Sequence, residues 1–132
     1  MDVTISQEQG RVPVSVIQIA GKTDSASAEE FRIKILEEIE RGARYIVLDL
    51  SKVPYMSSAG LRVLNEVFNK LRELSPEDAD QDIYKHIADG SYNSPHMKLL
   101  NPTKDVLEVL KMSGFDMLVS IEKDLNKAVT SF

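Results

Sequence analysis

The chain has 132 residues, enough for one continuous core and too few to carry a separate catalytic domain beside it. With 42% hydrophobic and 28% charged residues it has the composition of an ordinary globular domain, which excludes a disordered or fibrous chain. Its 16 basic and 21 acidic residues leave a net charge of −5, which repels phosphate backbones and anionic headgroups, and the lack of cysteine removes disulfides, thiolate metal sites and a cysteine nucleophile.

The N-terminus, Met1-Asp2-Val3-Thr4, has neither the basic stretch nor the apolar run of a signal peptide, and no later apolar run approaches the ~20 residues that span a bilayer. The expectation is one cytoplasmic domain over residues 1–132, with no nucleic acid and no membrane insertion. Val3-Thr4-Ile5 is a short alternating strand, Gly10 marks a turn, and Val12 to Ile19 is rich in β-branched residues with apolar side chains on both faces, as in a covered central strand. Lys22-Thr23-Asp24-Ser25 then leads into a helix with Ala28, Phe31, Ile35 and Ile39 on one face; Ser27 and Glu30 have capping-box spacing and Gly42 supplies the stop. The apolar run Tyr45 to Leu50 reads as a strand in the middle of a sheet.

The segment Pro54-Tyr55-Met56-Ser57-Ser58-Ala59-Gly60 opens a second helix, in which Leu61, Leu64, Phe68 and Leu71 recur at three- and four-residue steps. From about 75 to 97 the acids Glu77, Asp78, Asp80, Asp82 and Asp89, with Pro76, Gly90 and Pro95, interrupt any apolar period, so a polar surface insertion is expected, with one helical turn around Ile83 and Ile87. Lys98-Leu99-Leu100 is a short strand; Asn101-Pro102-Thr103 caps a helix carrying Val106, Leu107 and Leu110 that stops at Gly114. A last strand, Met117 to Ile121, precedes a helix aligning Leu125, Ala128, Val129 and Phe132. Alternation of this kind predicts an α/β fold: a mostly parallel central sheet with an opening hairpin and about four packed helices.

No glycine-rich phosphate loop, zinc-binding His-Glu-x-x-His helix or Gly-x-Ser-x-Gly elbow occurs. His86 and His96 both fall in the polar segment and are expected as solvated loop histidines, with no metal site built on them. Ser57 and Ser58 stand where a strand turns into a helix, and two readings are open: a helix N-cap, or an exposed hydroxyl whose phosphorylation a helix N-terminus tolerates. Arg62, Asn65 and Asn69 continue along the polar face of the same helix, as solvent-facing surface or as a docking face. Thr23, Asp24 and Ser25 follow another strand and in a parallel sheet emerge at the same edge, either as caps or as part of that face. At Gly60 alanine is expected to cost little and valine or leucine to crowd the turn.

Gly21-Lys22-Thr23-Asp24, the strand Tyr45 to Leu50, Tyr55-Met56-Ser57-Ser58-Ala59-Gly60-Leu61 and Lys111-Met112-Ser113-Gly114-Phe115 together resemble the STAS domain of anti-sigma factor antagonists, over nearly the whole chain outside the insertion. The resemblance implies a four-helix α/β domain that is not an enzyme, has no cofactor, and in its unphosphorylated form binds an anti-sigma factor that is also an ATP-dependent serine kinase. Ser58 aligns with the serine phosphorylated in that family, and a metal-dependent serine/threonine phosphatase resets it, so that transcription is regulated by partner switching. Ser57 stands where many members carry aspartate, which makes it the alternative phosphosite, and Ala59 stands where many carry serine or threonine. The partner-binding set implied is Thr23, Asp24, Ser25, Ser57, Ser58, Ala59, Gly60, Arg62, Asn65 and Asn69. The other function compatible with the resemblance is a STAS-type scaffold or sensor subunit of a transporter or signalling assembly, without kinase control.

Overall fold

The computed structural model describes residues 2–75 and 93–132. In chain order the elements are β1 (Asp2–Gln9), β2 (Pro13–Ala20), α1 (Ser25–Glu40), β3 (Ile46–Lys52), α2 (Ser58–Glu73), β4 (Met97–Leu100), α3 (Lys104–Ser113), a 3-10 turn (Phe115–Met117), β5 (Ser120–Glu122) and α4 (Leu125–Thr130). The five strands lie side by side in sequence order; β1 is antiparallel to β2, and β2 through β5 are parallel. This is the mixed α/β architecture read from the sequence, a mostly parallel sheet opened by a hairpin, with four helices among the described residues.

Alternation along the strands feeds two apolar layers. Ile17 and Ile19 of β2 and Ile46, Leu48 and Leu50 of β3 point to one face, where they meet Phe31 and Ile35 of α1, Leu64 and Val67 of α2, and Val106 and Leu110 of α3. The intervening Val14, Val16 and Val47 point to the other face and meet Ala128 and Val129 of α4. Both central strands are therefore mostly apolar, because both faces are covered along most of their length. Each such side chain taken from water contributes roughly 1.5–3 kcal/mol.

Several local expectations change. The capping box of α1 is Asp24 with Ser27, three residues earlier than Ser27 with Glu30: Asp24 Oδ1 accepts from the N–H groups of Ala26 and Ser27 at 3.1 and 3.0 Å, and the Asp24 N–H donates to Ser27 Oγ at 2.9 Å. The Ser27 backbone N–H, followed by its hydroxyl, holds the Asp24 carboxyl below the usual carboxylate range. β1 runs the whole length of β2, pairing Asp2 with Ala20 through Gln9 with Pro13, rather than covering three residues. The last strand is Ser120–Glu122, not Met117 to Ile121, because Gly114 ends α3 in the left-handed region at φ 80° and the chain tightens into the 3-10 turn. That turn buries Phe115 edge-on to Phe68, with ring centroids 6.2 Å apart, and leaves Met117 half exposed.

His96 is not a solvated loop histidine. Parallel pairing of Ile46 with Met97 draws it against the β3 entrance, where it is buried, its Nδ1 donates to the Arg44 carbonyl at 2.9 Å, and its ring lies 5.2 Å from that of Tyr45. Residues 76–92 of the expected surface insertion, including His86, Ile83 and Ile87, lie outside the described residues. At its two ends Ser75, Ser94 and Met97 are buried, and Met97 already belongs to β4.

Helices α1 and α2 lie side by side, joined by a forked ion pair in which Arg32 Nε and Nη2 donate to the two Glu66 carboxylate oxygens at 2.7 and 2.9 Å. The Arg32 hydrogen bonds lower the Glu66 pKa, so this stabilisation is fully present above the ordinary glutamate value near 4.5 and fades as the pH falls through the lower folded-state value. Side-chain exposures of 34% and 42% mean that water screens the pair, so its contribution to stability is small. Chemical denaturation of Glu66→Gln at pH 7 should show a small loss, and the gap to wild type should shrink as the pH falls through the folded-state value, below the ordinary glutamate one. An equal gap at pH 7 and below that value would show that packing, not charge, is what Gln disturbs.

Candidate functional site

Parallel strands deliver their C-terminal ends to one edge of the sheet, and three βα loops meet there. Gly21, at φ 118°, turns the chain out of β2, and its N–H donates to the Lys52 carbonyl at 3.0 Å. Thr23 then extends the β2–β3 pairing by one isolated parallel bridge to Met56. The Thr23 N–H and Oγ1 both donate to the Tyr55 carbonyl, at 3.1 and 3.2 Å, and the Ser57 N–H donates to the Thr23 carbonyl at 2.9 Å. From the β4–α3 loop, Thr103 Oγ1 donates to the Val53 carbonyl at 3.0 Å while also capping α3.

This lacing decides which serine does what. Ser57 is the N-cap of α2: its backbone is extended, it is half-buried, and its Oγ accepts from the Gly60 N–H at 3.3 Å. Ser58 is the first helical residue and is exposed, and among the described residues its hydroxyl makes no hydrogen bond. The capping reading therefore belongs to Ser57. Ser58 is left with a free Oγ at the positive end of a 16-residue helix, beside backbone N–H groups that have no partner within the helix.

Of the other residues read from the sequence, Asp24 is exposed and occupied in capping α1, and Ser25 is exposed at its first turn. Ser25 and Ala59 face each other across a groove between the two helix entrances, which Glu29 and Arg62 also line. Arg62, Asn65 and Asn69 form the exposed stripe of α2, with Asn65 Nδ2 donating to the Leu61 carbonyl at 3.3 Å. Thr23 and Gly60 depart from the expectation. Thr23 is 0% exposed and Gly60 is buried, so neither can touch a partner; they set the height of the Ser57-Ser58 turn instead.

The reason is steric. A Cβ on Gly60 would lie 2.7 Å from Thr23 Oγ1, 2.9 Å from Met56 Cγ and 3.0 Å from Thr23 Cβ. Even alanine is therefore crowded, contrary to the expectation from helix propensity. Tyr55 was missed as a surface residue: its carbonyl is held by Thr23 while its ring stands 53% exposed, three residues before Ser58. The available signal was its place between Pro54 and the apolar Met56, on the alternate side of an extended segment.

Comparisons with known proteins bear on the family and the fold. Residues 5–75 match the family model described as the STAS domain. The chain is 34% identical over 114 residues to BtrV of Bordetella bronchiseptica, which is assigned as an anti-sigma factor antagonist, with 86% of this chain and 82% of the relative covered. Among solved structures it superposes on an anti-sigma factor antagonist from Mycobacterium paratuberculosis with a TM-score of 0.70 at 19% identity, covering 98% of this chain and 93% of that one. It also superposes on the anti-sigma factor antagonist SpoIIAA, in its unphosphorylated form with a TM-score of 0.66 at 20% identity over 96% of this chain and 93% of that one. For the phosphorylated form of SpoIIAA from Bacillus the TM-score is 0.59 at 20% identity, over 96% of each chain. These structures support the fold; the Bordetella relative and the family match carry the kinship.

Proposed function

Because the chain belongs to the STAS domain family of anti-sigma factor antagonists, we propose that it works in the cytoplasm as a single domain that binds an anti-sigma factor with serine kinase activity and is released when Ser58 is phosphorylated. In that step the γ-phosphoryl group of ATP passes to Ser58 Oγ, the β–γ P–O bond breaks, and ADP and the hydroxyl proton leave. A serine/threonine phosphatase hydrolyses the ester and restores binding. The chain is substrate and ligand in this cycle and catalyses neither step.

One observation carries the reading: Ser57 takes the cap, so the neighbouring Ser58 hydroxyl is exposed, unbonded among the described residues, and presented on a turn held by Thr23. A kinase needs such a hydroxyl, and a side chain already committed to capping would have to be released first. Among the described residues no histidine or lysine hydrogen-bonds Ser58, as a nucleophilic serine would need of its base. The docking surface is the rim around it: the exposed Ser25, Tyr55, Arg62, Asn65 and Asn69, with the half-buried Ala59 among them.

Intact-mass analysis after incubation with the cognate anti-sigma factor and ATP, followed by phosphopeptide mapping, tests this. One phosphate on Ser58 is expected, retained in Ser57→Ala and lost in Ser58→Ala. Phosphate on Ser57 instead, or none at all together with recovery of transport proteins in a pull-down, would overturn it in favour of the other serine or of a scaffold role.

A further inference from the structure

Arg62 lies four residues after Ser58, one helical turn along the same face of α2. Long side chains on a helix lean back toward its N-terminus, which puts the turn that carries Ser58 within reach of the Arg62 guanidinium, and Arg62 lines the groove at that turn with Ser25 and Ala59. Ala59, a step round the helix from Ser58, packs partly against the core and offers no polar side chain.

The charge pattern around Arg62 leaves it alone. Its acceptor at the next i, i+4 position would be Glu66, yet both oxygens of Glu66 are held by Arg32 from α1, at 2.7 and 2.9 Å. Glu29, across the groove, is also engaged by Arg32, through Nη1 at 3.2 Å. One arginine thus takes both acids. Arg62 is exposed and, among the described residues, makes no ion pair or hydrogen bond. A guanidinium unpaired among the described residues, four positions after a hydroxyl that is likewise unbonded among them, is an arrangement that an anion on that hydroxyl would complete.

We propose that phosphorylated Ser58 is bound by Arg62 of its own helix, so that modification closes an internal phosphate–guanidinium pair and withdraws Arg62 from the docking surface. This rests on the reading of Ser58 as the modified serine. The planar guanidinium offers two parallel N–H donors to two phosphate oxygens, which a lysine ammonium cannot do. Release of the partner then has two causes: the phosphate stands where the partner docks, and a cation the partner used is folded back onto that phosphate.

The test encodes phosphoserine at position 58 genetically, without any kinase, and follows the phosphate by phosphorus NMR as a function of pH. An ordinary phosphoserine has its second pKa near ~6. In the otherwise wild-type chain it should sit lower, and Arg62→Gln should raise it by about half a pH unit or more. Arg62→Lys should keep part of the effect. Other charges reach this edge: Lys22 and Asp24 in the β2–α1 loop, Lys52 at the end of β3, Glu29 on α1, and Lys104 and Asp105 at the start of α3. Lys22→Gln, Lys52→Gln and Lys104→Gln should therefore move the value less than Arg62→Gln does. Arg62→Gln should also lower the melting temperature of the phosphorylated chain while leaving the unphosphorylated chain unchanged. An unaltered phosphate pKa in Arg62→Gln, or equal changes from the three lysine variants, overturns the pairing. Because the phosphoserine is encoded, absence of kinase modification in cells would sink the switch and leave this result standing. Phosphate mapped to Ser58 with no effect of Arg62 would sink only the pairing.

Discussion

Gly60→Ala should destabilise the protein by roughly 1–3 kcal/mol, and Gly60→Leu by more, although alanine gains about 1 kcal/mol of helix propensity over glycine. The opposing term is the contact at 2.7 Å with Thr23 Oγ1. That atom is not the free end of a flexible side chain: Thr23 is fully buried, β-branched, and bonded to the Tyr55 carbonyl through both its N–H and its hydroxyl. Moving it breaks the lacing between the β2–α1 and β3–α2 loops, and Met56 Cγ at 2.9 Å blocks the other direction. Urea unfolding measures the cost, and the double variant Thr23→Ala/Gly60→Ala should lose less than the sum of the single losses, because the closest clash is gone. A wild-type midpoint for Gly60→Ala would show that the turn yields without strain.

Ser58→Asp should weaken binding to the cognate anti-sigma factor at least tenfold, about 1.4 kcal/mol, without lowering the melting temperature. An acid in the first turn of a helix is stabilising by about 0.3–1 kcal/mol, so the fold should hold or gain slightly. The partner, however, must cover a charge where it met a neutral hydroxyl, and a buried charge without a counter-ion is costly. Phosphoserine, with about −1.5 to −2 charges at neutral pH and three acceptor oxygens, should exceed the aspartate effect. Ser58→Ala should bind like wild type. Calorimetric titration distinguishes these outcomes; equal affinity for wild type and Ser58→Asp would remove Ser58 from the interface.

Periodicity made most of the scaffold readable. The unbroken apolar run from Tyr45 to Leu50 and the i, i+3, i+4 recurrence of Ala28, Phe31, Ile35 and Ile39 each report burial directly, and burial is what the sheet and α1 impose there. The order of strands and helices followed from those runs. Which of two adjacent serines caps α2 was not readable, because both residues suit the position and only the extended backbone of Ser57 decides it. The crowding at Gly60 was hidden for a different reason: Thr23 lies far away in sequence and reaches it only through the parallel register of β2 and β3. His96 was misread because it closes a polar stretch of sequence, whereas its burial comes from the strand that starts one residue later.

The two helix ends of α2 lie at opposite poles of the domain. Its first turn carries Ser58, and its 16 residues run back along the sheet for about 24 Å before the chain reaches Ser75, whose N–H donates to the Arg72 carbonyl at 3.2 Å. The chain returns at Ser94, pinned by its N–H to the Leu118 carbonyl at 2.8 Å, just before β4 sets out toward the Ser58 edge. Both anchors are therefore at the foot of the sheet, at the end of α2 opposite Ser58. A label attached at either anchor, Ser75 or Ser94, would sit about a helix length from the serine and so stay clear of whatever docks there.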